Sequence, residues 1–352
     1  MNERVTMRQI AEKAGVHYTT VSLAIRKHPR IPAATRDRIL KIADEMGYVE
    51  DAHLSALNQY RINKRVGKGQ VKAALAWINV AESAAYIKEH KYIRSYFRGA
   101  EERAKALGYN LEVISLSAGG ISPARMVQIL NARSIRGVLL GPVERGHREI
   151  VAALQQIDWA PYAVTAFGYS SREIACNRVT VDHYTAARMT VWEFAKRGYM
   201  RPGILLDENS NLRLNRLWQA GFLAGCEDMY GKQTVPPCLV SSGENLLSRF
   251  ENWYESFEPD AIATQMSLRV EAYFHKFGLQ IPEDVGIVHL EDSDRNFAMI
   301  NQNDQEIGRT AINLVVGALH RNEFGLPPHP QTTLVPPIWE NGYSVRAPSR
   351  QA

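Results

Sequence analysis

The chain has 352 residues, 45% of them apolar, and a formal charge of +5. That length suits two or three domains of about 100–150 residues each, and the apolar share supports a large core, which excludes a wholly disordered chain. The charge is uneven: residues 1–65 carry 12 Lys and Arg against 7 Asp and Glu, while the other 287 carry 30 of each. A positive surplus confined to one short segment points to an anionic partner, nucleic acid first. No run of about 18 apolar residues occurs, and the charged start Met1-Asn2-Glu3-Arg4 lacks the apolar stretch of a secretory signal, so no membrane is expected and the cytoplasm is the expected location. Cys176, Cys226 and Cys238 are odd in number and form no CxxC pair, which argues against a disulfide framework or a cysteine zinc site.

Thr6-Met7-Arg8-Gln9 reads as a capping box that starts a helix, with Ile10, Ala11 and Ala14 on its apolar face. Gly15 suits a tight turn that needs positive φ, and Val16 plugs it. A second short helix is expected over about His17 to Arg26, with Val21 and Ile25 inward. A third begins near Pro32, buries Ile39, Ile42 and Ala43, and stops at Gly47. Two short helices across a glycine turn with a supporting third make a helix-turn-helix.

The run Val5-Thr6-Met7-Arg8-Gln9-Ile10-Ala11-Glu12-Lys13-Ala14-Gly15-Val16-His17-Tyr18-Thr19-Thr20-Val21-Ser22, continued by Thr35-Arg36 and Met46-Gly47-Tyr48, resembles the LacI/GalR family of bacterial transcription regulators. The resemblance implies DNA binding as a homodimer on a palindromic double-stranded operator. The second helix would then present His17, Tyr18, Thr19, Ser22, Leu23 and Arg26 to the major groove, with Tyr18, Thr19 and Leu23 reading bases. Many relatives carry Arg where Leu23 stands; Leu23 can touch only a thymine methyl, so the operator is expected to differ from the family's usual one. Thr6, Thr20, Arg30, Thr35 and Arg36 are candidates for phosphate contacts, which position without specifying. The alternative for Tyr18 is an aromatic packed on the helix surface.

Residues 49–70 are expected to form the family's hinge helix and linker, with Leu57 as the wedge that enters the minor groove. Glu50, Asp51 and Ser55 depart from the usual pattern there. Leu54 and Leu57 fit simple dimer packing as well.

From Ala73 the texture changes to short apolar strands alternating with helices, a pattern of parallel sheets covered on both faces. The expected architecture is an all-α helix-turn-helix DNA-binding domain over 1–48, then an α/β two-lobed periplasmic-binding-protein-like domain over 71–347. One lobe is expected from 71–168 plus 298–326 and the other from 169–297 plus 327–347. A small-molecule effector, sugar-like by the resemblance, is expected in the cleft outside the strand C-termini. Asn79, Tyr96, Phe97, Asp182, Arg216, Trp218, Glu291 and Gln302 are the candidate contacts. Relatives often place an Arg three residues before a Gly-aromatic pair; ahead of Gly221-Phe222 that position holds Trp218, with Arg216 two residues earlier. Trp218 and Phe97 suit a core as well as a ligand, and Asp182 suits a helix cap.

Walker, HExxH and GxSxG motifs and metal-spaced histidines are absent from the sequence, so neither an enzyme nor a cofactor or metal is expected. Two alternatives stay open at this point: a small-molecule receptor module sharing the two-lobed fold, and a DNA-binding regulator with a vestigial cleft.

Overall fold

The computed structural model describes residues 5–25, 31–46, 48, 73–81, 83, 85–117, 120–143, 146–231, 235–241, 243–265, 273–274, 278–291 and 296–349. Arg26, Arg30, Leu57 and the whole expected hinge lie outside the described residues. The chain divides into two compact units, residues 1–71 with 317–323, and residues 72–316 with 324–352.

The first unit holds helices α1 (Met7–Ala14), α2 (Tyr18–Ile25) and α3 (Ala33–Glu45). The capping box forms as read. Gln9 N–H donates to Thr6 Oγ1 at 3.4 Å, and Thr6 N–H donates to Gln9 Oε1 at 2.7 Å. Gly15 closes α1 at φ 64°, and Val16 N–H reaches back to the Ala11 carbonyl at 3.0 Å. Ile10, Ala11, Ala14, Val21, Ala24, Ile39 and Ala43 form the core of the three helices, with Val16, Ile25 and Ile42 packed against it.

The second unit contains two six-stranded sheets, each with helices around it. β1 (Ala73–Val80), β2 (Tyr109–Leu116), β3 (Gly137–Val143), β4 (Ala163–Phe167), β5 (Asn177–Val181) and β11 (Thr332–Val335) form the first, in the order β11-β5-β4-β3-β1-β2. Every pairing in it is parallel. The second, in the order β12-β10-β9-β8-β6-β7, combines β6 (Pro202–Asp207), β7 (Cys238–Val240), β8 (Ala261–Thr264), β9 (Gly286–His289), β10 (Ala298–Asn301) and β12 (Ile338–Glu340). Only β12 in that sheet runs antiparallel to its neighbour. The unbroken apolar runs in β1, β3 and β4 are buried along almost their full length, as strands covered on both faces must be.

The lobe boundaries expected from sequence need correction. β5 stays in the first sheet and β10 joins the second, so the chain crosses after Val181, after Asn301 and after Val335. A crossing was expected after residue 168, but the chain makes one more parallel strand against β4 before leaving.

Between the strands run α4 (Tyr86–Glu89), α5 (Lys91–Ala106), α6 (Pro123–Ala132), α7 (Arg148–Gln155), α8 (His183–Lys196), α9 (Glu208–Arg213), α10 (Leu217–Tyr230), α11 (Leu246–Phe257) and α12 (Asp304–His320). Two glycines let α5 and α12 touch backbone to backbone. A Cβ on Gly308 would lie 2.0 Å from the Tyr96 carbonyl oxygen, and one on Gly99 would lie 2.0 Å from that of Gln305.

Candidate DNA-reading helix and effector cleft

Burial of Val21 and Ala24 fixes which way α2 faces. His17, Tyr18 and Thr19 are exposed, Tyr18 at 49%, while Thr20, Ser22 and Leu23 are half-buried. His17 Nδ1 lies 2.9 Å from Thr19 Oγ1 and accepts the Thr19 N–H at 3.4 Å, so the imidazole caps α2 and orders the Thr19 side chain. Thr6 stands at the N-cap of α1, and Thr35 and Arg36 lie half-buried in the first turns of α3. None of the three helices has an acidic residue in its first turn. Their N-terminal partial charges are therefore not offset locally, a setting that suits phosphate.

In the second unit, the strand order reverses beside β1 in one sheet and beside β6 in the other. Such reversals leave a crevice outside the strand C-termini. Asn79 is the last residue but one of β1; its amide is buried and donates to Ser115 Oγ at 3.2 Å. Tyr96, on α5, is buried and stacks on Phe167 with 5.5 Å between ring centres. Phe97 is half-buried and meets Trp77 edge-on.

Asp182 caps α8, accepting from Thr185 N–H at 3.0 Å and Thr185 Oγ1 at 2.7 Å. Arg216 is exposed ahead of α10 in a left-handed conformation, φ 57°. Trp218 is 1% exposed, inside the second-lobe core, with its ring edge-on to His183. Gln302 is buried in the second crossing and donates to the Leu290 carbonyl at 3.0 Å. Glu291 follows β9 and is open to solvent.

Arg213 is the residue that ties these positions together, and sequence reasoning missed it. Its charge acts on Tyr92, Tyr96, His183 and Glu291 alike, which come from both lobes. Burial raises the Tyr92 phenol, which is also hydrogen-bonded to Tyr86, and raises that of Tyr96. Tyr86, Tyr92, His183 and Asn211 were missed too. Their signal was position: each lies within a few residues of a strand's C-terminal end or on the helix that follows. His183 Nδ1, Asn211 Oδ1 and Trp218 Nε1 are buried without a hydrogen-bond partner among the described residues. Buried groups of that kind are usually met by water or a polar ligand. Among the described residues no acidic, histidine or cysteine cluster is suited to a metal, and no helix is long and apolar enough to cross a membrane.

Burial, then the charge of Arg213, depresses His183 to about 4 from an unfolded value near 6.5. Between those values the unfolded chain holds the proton and the folded one does not. His183 therefore costs nothing above pH 6.5, and stability falls as pH drops toward 4, by up to about 3 kcal/mol. Urea midpoints between pH 7.5 and 4.5 should fall less steeply in His183→Gln than in the parent; parallel curves would contradict the buried neutral imidazole.

The lacI family of bacterial regulatory proteins matches residues 6–51, and a periplasmic-binding-protein-like domain matches residues 191–345. The NTD biosynthesis operon regulator NtdR of Bacillus subtilis (strain 168) is 22% identical over 295 residues, 82% of each chain. Among solved structures, the transcriptional regulator CelR in complex with cellobiose superposes with a TM-score of 0.60 at 16% identity, covering 97% of this chain and 100% of that one. The lac repressor dimer bound to operator and the anti-inducer ONPF gives a TM-score of 0.56 at 19% identity, covering 98% and 100%. At these identities the structural likeness concerns the fold.

Proposed function

The chain belongs to the LacI family of bacterial regulatory proteins, and from that premise we propose how it acts: as a cytoplasmic, non-catalytic homodimer on a palindromic operator. It is a sequence-specific regulator of transcription whose operator affinity is set by a small polar molecule held between the lobes. The observation that carries the reading is the outward face of α2, where His17, Tyr18 and Thr19 stand clear of a core that fixes the helix's orientation. Tyr18, Thr19, Ser22 and Leu23 read the major groove; Thr6 and Thr35, at helix N-termini, hold phosphates. Arg26, Arg30 and the wedge Leu57 are assigned by family pattern alone.

The effector contacts center on Arg213, Glu291, Tyr92 and Tyr96, with Asn79 and Gln302 close to the same strand ends. Asp182 and Trp218 support those contacts through the helix cap and the lobe core. A ligand changes DNA affinity only as far as it binds the two conformations unequally, typically by about 1–3 kcal/mol, and operator must change ligand affinity by the same factor.

Selection of bound sequences from a random DNA pool tests the reading. Tyr18→Ala should relax base preference at one symmetric pair of positions, by about 1–3 kcal/mol per lost contact, and Leu23→Arg should shift a pair toward guanine. Glu291→Ala should leave ligand-free operator binding intact and blunt the response to effector. Identical selected sites for parent and both α2 variants would remove the recognition helix from the proposal.

A further inference from the structure

A cavity of about 850 Å3 opens beside the Arg213 cluster, where the loop after β3 and α7 face the segment after β4 and α9. Its volume lies within the range of small-molecule sites. Three guanidinium groups line it: Arg148 at the start of α7, Arg172 after β4, and Arg213 at the end of α9. Glu173 is the one carboxylate among the described lining residues.

The three arginines are differently held. Arg172 is braced, donating to Asn215 Oδ1 at 2.6 Å and to the Arg213 carbonyl, with its guanidinium near the Tyr169 ring. The guanidinium groups of Arg148 and Arg213 have no hydrogen bond or ion pair among the described residues. The N-terminus of α7 opens there at His147 and Arg148, its positive end partly offset by Glu149 in the first turn. Guanidinium groups that line one cavity from facing sides repel one another, and an arrangement of this kind is stabilised by an oxyanion that accepts from several of them.

Resting on the reading of a small-molecule effector, we propose that the effector is an organic oxyanion, a polyhydroxylated compound bearing a phosphate ester or a carboxylate. Its anionic end lies among Arg148, Arg172 and Arg213. Its hydroxyl-bearing end meets the polar lining of the same cavity, Gln155, Ser170 and Asn209. The wall Val143, Val151 and Leu212 supplies the apolar surface for the carbon skeleton.

The test measures thermal midpoints of the full-length protein at constant ionic strength with inorganic phosphate, gluconate, glucose 6-phosphate or glucose, against chloride. Phosphate should raise the midpoint, and one of the two six-carbon anions should do so at lower concentration than phosphate. Which one does so tells phosphate ester from carboxylate. Arg148→Gln and Arg213→Gln should each raise the anion concentration needed by about tenfold or more, and Glu173→Gln should lower it. Arg148 and Glu173 are exposed, so their variants are expected to fold like the parent. The anion assignment is overturned if glucose acts as strongly as the anions, if no anion shifts the midpoint, or if the shift survives in the Arg148→Gln/Arg213→Gln double variant. A response to glucose that also changes operator affinity would remove the anion and leave the regulator reading in place.

Discussion

A fragment beginning at Lys72 is expected to lose operator binding entirely while keeping its fold. The expectation rests on charge and on core. All of the formal positive surplus lies within residues 1–65, and the rest of the chain is balanced at 30 against 30. A balanced surface releases few counterions from DNA and gains little from its phosphates. The fragment retains both six-stranded sheets and the apolar clusters packed on them. Its far-ultraviolet circular dichroism should keep the α/β signature, and its thermal unfolding should stay cooperative. In the intact protein, affinity should fall linearly on a log–log plot against salt, with a slope of about −0.9 for each phosphate neutralised. Specific DNA binding retained by the fragment would overturn the assignment of the first unit as the DNA-binding part.

Gly308→Ala is expected to destabilise the second unit by about 3 kcal/mol or more, at or beyond the usual cost of overpacking. The added Cβ would stand 2.0 Å from the Tyr96 carbonyl oxygen and 2.7 Å from the Ala100 nitrogen. Both are main-chain atoms, so no rotamer change relieves the clash, and α5 and α12 must separate. The thermal midpoint should drop by roughly 5–10 °C. Because α5 carries Tyr92 and Tyr96, the same displacement should weaken effector binding. An exposed alanine-for-glycine change such as Gly146→Ala is a poor control, since its φ of 96° adds strain of its own. Ser256→Ala on α11 is a better one. An unchanged midpoint in Gly308→Ala would mean that the helices do not cross so closely.

What could be read from the sequence was mainly local. The capping box of Thr6 and Gln9 spans three residues, and the turn at Gly15 is set by one, so neither depends on distant chain. The apolar runs of β1 and β3 announced buried parallel strands for a similar reason, since both faces of each residue's neighbourhood are alike. The lobe crossings were not legible, because Gly168-Tyr169-Ser170-Ser171 has the composition of a connection whichever sheet the next strand joins. The cleft was legible only as a set of strand ends. Arg213 and Glu291 are 78 positions apart in sequence, and no local pattern says that their charges meet. Asp182 suited a cap and a ligand equally on the page of the sequence, and in the fold its carboxylate is engaged by Thr185.

The triple crossing also sets an order on the making of the protein. The helix-turn-helix is one contiguous stretch whose core residues lie between Val5 and Tyr48, so it can fold as soon as it leaves the ribosome. The first lobe cannot. Its edge strand β11 and the helix α12 against which α5 packs are translated only after most of the second lobe. At roughly 5–20 residues per second, the wait between β5 and α12 lasts several seconds or more. During it, β5 stands as an open parallel edge with its hydrogen-bonding groups unpaired. Nascent chains of this protein therefore carry an unpaired sheet edge until β11 is made and pairs with β5.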